Sequence, residues 1–128
     1  MPPARNRYQR ANQVLAWCMD MWPIGRRIRL EWVDHLWDDE TQRYYDAETT
    51  REGRELVITL SRRENIRWKD VADSVIHEYT HCLQWPVAGP TELAEDDHPP
   101  AHWAQYGEIT DRYHHHHGCE DCSLYPVE

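Results

Sequence analysis

The chain has 128 residues, of which 40% are hydrophobic and 29% charged, so one compact globular domain is expected. No apolar run is long enough to span a bilayer and residues 1–10 lack the apolar stretch of a signal peptide, so we expect a cytoplasmic protein with no membrane partner. Residues 1–69 have a net charge of +2, whereas residues 70–128 carry one Arg against 12 acids, a net charge of −11. That acidic half argues against nucleic acid as the main partner.

The first half of the chain predicts one helix followed by strands. Apolar residues recur there at three- and four-residue steps, which predicts an amphipathic helix: Tyr8, Ala11, Leu15, Cys18 and Trp22. Alternating residues at 28–32 predict a half-buried strand, residues 42–47 a second strand, residues 51–54 a turn and the LVITL run at 56–60 a third strand. Because the chain has seven Trp and no Phe, we expect a core built largely on Trp.

The second half predicts two helices joined by a loop. Asp70 is a good N-cap for a helix with one apolar face, and Trp85-Pro86 ends that helix. The proline-rich residues 86–100 predict a loop, and residues 101–115 predict a last helix. This order predicts an α+β domain over residues 1–115, with a small, mostly antiparallel sheet, and a polar tail over residues 116–128.

The segment His77-Glu78-Tyr79-Thr80-His81 lies in the middle of the predicted helix. Two His four residues apart project to one side of a helix and can share one zinc ion at about 2.0–2.1 Å each. Glu78 lies beside them and can reach a metal-bound water without ligating the metal, which is the HExxH mechanism of hydrolysis. A third protein ligand is also needed, and His98, His102 and Glu108 are available downstream.

The strand, HEYTH helix, loop and final helix, over about residues 55–114, resemble the SprT-like and related small zincins, many of them encoded by phages. In that group a short motif after the HExxH helix supplies the third histidine, and His98-Pro99-Pro100-Ala101-His102-Trp103 falls in that place. The resemblance implies a zincin-like fold, with Zn²⁺ held by His77, His81 and His98 and Glu78 as the catalytic base.

The same resemblance implies a metalloendopeptidase that cleaves peptide bonds in a protein or peptide substrate, in the host cytoplasm if the protein is phage-encoded. It further implies that the substrate binds in extended form along an edge strand within residues 41–60. His102 and Glu108 stay open as alternative third ligands.

A rival hypothesis is a zinc-stabilised binding or regulatory protein that has kept the fold without useful catalysis. Four histidines, His77, His81, His98 and His102, would then close the metal site and leave no position for water. Glu78 argues against that hypothesis, because a structural site needs no carboxylate there. For the developing oxyanion, Tyr113 or His114 could donate a hydrogen bond.

The tail holds a second chemical feature, Cys119-x-x-Cys122 beside the run His114–His117. These side chains could form a second zinc site, although half of the usual ligand pattern is missing. A flexible polar end that binds metals adventitiously is the favoured interpretation. In a reducing compartment the four Cys are expected to be thiols or metal ligands rather than disulfides.

Overall fold

The computed structural model describes residues 5–62, 68–85 and 100–117. These ranges contain, in chain order, α1 (Arg7–Met21), β1 (Ile28–Val33), β2 (Trp37–Asp38), β3 (Arg43–Tyr44), β4 (Ala47–Glu52), β5 (Glu55–Ser61), α2 (Trp68–Leu83) and α3 (Pro100–His117). The predicted α+β class is confirmed, and so is the order of its helices and strands. The loop predicted at 86–100 lies outside the described residues, except for Pro100, which begins α3. Helix α3 continues two residues past the predicted end at 115. Cys119 and Cys122 of the predicted tail lie outside the described residues, and so does His98.

The main sheet has three strands in the order β1-β5-β4. Strand β1 runs parallel to β5, with Ile28 opposite Leu56, whereas β4 runs antiparallel to β5. Strands β2 and β3 form a separate antiparallel ribbon. The predicted mostly antiparallel sheet is therefore only partly confirmed, because the sheet is mixed. Between β1 and β5 the chain returns to the end of the sheet at which β1 began, so β5 runs in the same direction as β1.

Strand β4 departs most from the sequence prediction, which placed a strand at 42–47 and a turn at 51–54. Within the first of these ranges the strand residues are Arg43 and Tyr44 of β3 and Ala47, the first residue of β4, and β4 extends to Glu52. The turn to β5 is confined to Gly53 and Arg54, and Gly53 has a φ of +63° that suits glycine. The sequence of β4, AETTRE, is polar because this strand lies at the edge of the sheet and only one of its faces packs against α2.

The core lies between α1, α2 and the inner face of the sheet. Its buried members are mainly aliphatic, with two tyrosines, and include Val14, Leu56, Ile58, Val75, Ile76, Tyr79, Ile109 and Tyr113. Among the described side chains Trp85 is the one buried tryptophan, so the expectation of a Trp core is wrong. The aliphatic residues of α2 and β5 fill the interior, and other indoles pack around its rim.

Cys18 on α1 and Cys82 on α2 are buried free thiols, which confirms the expectation for these two residues. Burial raises the pKa of Cys18 to about 12, so this thiol stays protonated and serves as a small apolar side chain. Tyr79 beside them is fully buried, and its hydroxyl donates to the backbone oxygen of Trp22. In the described part of the chain, no helix is long and apolar enough to cross a membrane.

Candidate metal centre

Helix α2 presents His77 and His81 on one side. It begins at Trp68, two residues before the predicted N-cap, so Asp70 lies in its first turn instead, near the positive end of the helix dipole. The rings of His77 and His81 lie 5.0 Å apart between centroids, as the four-residue spacing predicts. The helix is held in place by contacts with α1, α3, β4 and β5.

Helix α3 brings a third imidazole to the same place. His102 lies in its first turn and is fully buried. Its ring centroid is 4.7 Å from that of His77 and 4.2 Å from that of His81. The potential ligand atoms of the three side chains all lie within 4.8 Å of one another. These three histidines could therefore hold a metal ion.

Of the other two candidates for the third ligand, the structure describes Glu108 but not His98. His98 lies outside the described residues, so its role as a ligand stays a prediction. Glu108 lies in the middle of α3 with its side chain 53% exposed, and its carboxylate is 3.6 Å from the guanidinium of Arg112. Among the described residues Glu108 is not part of the group that could hold a metal.

Glu78 follows His77 in the chain and is buried, with 6% of its surface exposed. Its Oε1 accepts a hydrogen bond of 2.8 Å from the hydroxyl of Thr49 on β4. Burial raises the pKa of this carboxyl to about 7; the Thr49 hydrogen bond opposes the shift, and the charge of Glu48 adds to it. A carboxyl that titrates near neutral pH is suited to accepting and releasing a proton.

A cavity of about 280 Å³ opens next to Glu78 and His77. Its walls are completed by residues that the sequence analysis did not single out: Asp46, Ala47, Asp73, Ser74 and Tyr106. The ring of Tyr106 lies 5.4 Å from that of His77. Burial, and then the charge of Asp73, raise the pKa of Tyr106, so its hydroxyl stays protonated. Tyr106 follows His102 by four residues, so the helical spacing in the sequence could have indicated that the two side chains lie on the same side of α3.

The two residues expected to donate to an oxyanion lie elsewhere. Tyr113 is buried in the core, where its hydroxyl accepts a hydrogen bond of 3.0 Å from Arg10. It follows His102 by eleven residues, which is about 16 Å along a helix axis. The Nε2 of His114 lies 3.4 Å from a carboxylate oxygen of Asp73. Neither Tyr113 nor His114 lines the cavity beside Glu78, whereas Tyr106 does.

Strand β4 forms the edge of the sheet next to Glu78. The amide of Ser61 donates to the carbonyl of Asp46 at 2.9 Å, one position before the pair Ala47 and Leu60. Hydrogen-bonded and non-hydrogen-bonded pairs alternate along an antiparallel ladder. The backbone N–H and C=O groups of Ala47 and Thr49 therefore point away from β5. No other described strand pairs with this edge.

Comparisons of the chain with protein-family models, with curated proteins and with solved structures found no match. Its function must therefore be inferred from the residues and geometry of this centre.

Proposed function

We propose that this protein is a zinc metalloendopeptidase that uses Glu78 as general base. The observation that carries the proposal is a cluster of three imidazoles, His77, His81 and His102, with a buried carboxyl beside it but outside the ligand group. Three protein ligands are typical of catalytic zinc sites, which keep one position open, whereas structural sites are closed by four.

The donor set fits zinc. Three nitrogen donors that meet within 4.8 Å suit zinc and other borderline metals, whereas calcium and magnesium require oxygen ligands. Zinc bound there would polarise the carbonyl of a peptide bond and lower the pKa of water. We propose His102 as the third ligand because α3 holds its buried ring against both histidines of α2.

Glu78 would take the proton of the attacking water and pass it to the leaving amine. Two features support this role: the carboxyl is buried next to His77, and in the metal-free protein burial raises its pKa to about 7. In this proposal Tyr106 would donate a hydrogen bond to the oxygen on which negative charge develops, since its ring lies beside His77 on the wall of the cavity.

The edge of β4 would hold the substrate as an added strand. Ala47 and Thr49 offer their outward backbone groups to an extended peptide, which is how sheet edges recognise such ligands. The cavity lies next to Ala47 and Glu78, so it could receive one substrate side chain close to the cleaved bond. A peptide or protein substrate would explain why a proton-transfer group lies beside a strand edge with which no other described strand pairs.

The test is cleavage of a fluorogenic decapeptide library by the zinc-loaded protein. Wild type should cleave members of the library, and Glu78→Gln should lower the rate by about 10²–10⁴-fold while retaining zinc. Glu108→Gln makes the same chemical change at an exposed position on α3 and should leave the rate unchanged.

Equal cleavage by wild type and Glu78→Gln would show that Glu78 is not the base. If the wild type cleaves nothing while a fourth histidine completes its zinc site, the protein is a zinc-stabilised binding protein instead.

A further inference from the structure

Thr49 lies at the edge of β4 and also contacts the carboxyl of Glu78. Its backbone N–H and C=O point away from β5, to the edge of β4 that no other described strand occupies, whereas its side chain points to α2 and is buried. The hydroxyl donates to Oε1 of Glu78 at 2.8 Å and lies 3.4 Å from the backbone oxygen of the same residue. Of these two contacts the first is a well-formed hydrogen bond and the second is long.

We propose that Thr49 is a positioning residue that couples peptide binding at the β4 edge to the orientation of the Glu78 carboxylate. This inference rests on the proposed function. A peptide that pairs with Thr49 would fix the backbone of this residue, and the hydroxyl would then fix one carboxyl oxygen of Glu78. Because a hydroxyl has a single proton, the second carboxyl oxygen receives no hydrogen bond from Thr49 and is left for the reacting water.

Because Thr49 and Glu78 are both buried, the hydrogen bond between them is held in one geometry. Thr49 is 7% exposed and Glu78 is 6% exposed, so a water molecule from bulk solvent does not readily replace the hydroxyl. Threonine is also β-branched, which limits its side chain to few rotamers on a strand. A displacement of about 1 Å in a catalytic group can lower a rate by about a hundredfold, so a fixed carboxylate has a kinetic consequence.

The experiment compares Thr49→Val with Thr49→Ser in the zinc-loaded protein. The substrate is the best-cleaved member of the decapeptide library. Valine keeps the shape and removes the donor, so kcat should fall about tenfold while KM changes by less than about twofold. Serine keeps the donor and should restore kcat to within about threefold of wild type. In a Glu78→Gln background, Thr49→Val should have no further effect, because the two changes then act on one step.

A second readout does not depend on activity. In metal-free protein labelled with ¹³C-glutamate, the carboxyl carbon of Glu78 is identified by its loss in Glu78→Gln. Its resonance should shift or broaden in Thr49→Val and stay at the wild-type position in Thr49→Ser.

An unchanged resonance and an unchanged kcat in Thr49→Val would overturn the inference. It would also be overturned if Thr49→Val lowered kcat as much in the Glu78→Gln background as in the wild type. If wild type cleaves no peptide, the proposed function has failed, and the Glu78 resonance still decides whether Thr49 orients this carboxyl.

Discussion

Helix α2 has an apolar side and a polar side, and the two contribute differently to the protein. On one side Val75, Ile76 and Tyr79 pack into the core and are fully buried. On the other side His77 is partly exposed, and Glu78 and His81 are 6% and 9% exposed. The apolar side stabilises the fold by removing hydrocarbon from water. The polar side is costly to bury unless other groups satisfy it.

The partners of the polar side come from other elements. Thr49 of β4 donates to Glu78, and His102 of α3 lies against both histidines. A metal ion would satisfy the three imidazoles together. If the proposed function holds, one side of α2 determines the stability of the fold, and the other side determines metal binding and catalysis. The following predictions test that separation.

The largest expected effect is on the stability that zinc confers. At a thousandfold excess over its dissociation constant, zinc should stabilise the wild type by about 4 kcal/mol. A His77→Ala, His81→Ala double variant should lose this gain, since two of the three ligands are gone. Chemical denaturation with and without zinc measures the difference. His115→Ala, a change at an exposed histidine of α3, serves as control and should keep the gain. A double variant that zinc still stabilises would place the metal elsewhere.

A change on the apolar side of α2 should lower the stability of the fold and leave the stabilisation by zinc intact. Ile76→Ala should lower the free energy of unfolding by about 3–4 kcal/mol, because it leaves a cavity at a fully buried position. The stabilisation by zinc should be unchanged in this variant. Met19→Ala, at a position 36% exposed on α1, should cost less than about 1 kcal/mol. If Ile76→Ala removes the zinc gain as well, the two sides of α2 are not independent.

A smaller effect should appear in the pH dependence of the metal-free protein. The pKa of Glu78 is about 7 in the folded state against an ordinary value of 4.5, so the folded protein binds this proton more tightly than the unfolded chain. The tighter binding of this proton adds to the free energy of unfolding, and its contribution is fully present below pH 4.5. As the pH rises to about 7 the contribution is lost, which lowers the free energy of unfolding by up to about 3 kcal/mol.

Glu78→Gln lacks the titrating group and should not show this loss. Denaturation of both proteins between pH 4.5 and 8 gives the difference directly. Parallel stability curves would mean that the carboxyl of Glu78 has an ordinary pKa in the folded protein.

The elements that the sequence predicts well are those whose signal is local. The i, i+4 spacing of His77 and His81 holds for any α-helix, and the structure keeps these two rings together. The apolar LVITL run becomes the central strand β5, and the first amphipathic pattern becomes α1. In α1 and β5 most of the apolar residues that give the sequence signal are also buried in the core.

Features that depend on tertiary packing could not be predicted in this way. Strand β4 has a polar sequence without a strong strand signal, and it is recognised only by its pairing with β5. The meeting of His102 with the histidines of α2 depends on how α3 packs after a proline-rich connection, which no local pattern specifies. The partnership of Thr49 with Glu78 spans 29 residues and follows from the placement of β4 against α2.

The zinc content of His102→Ala and His98→Ala, measured side by side, shows which of the two histidines is the third ligand of the proposed zinc site. Both variants should carry serine at 115, 116 and 117 to suppress adventitious binding. Dialysed samples are analysed for metal per protein chain. A site of three histidines with His102 as the third ligand predicts one zinc in His98→Ala and none in His102→Ala. Retention of one zinc by His102→Ala would contradict the claim, and loss of zinc from both variants would indicate a site closed by four histidines.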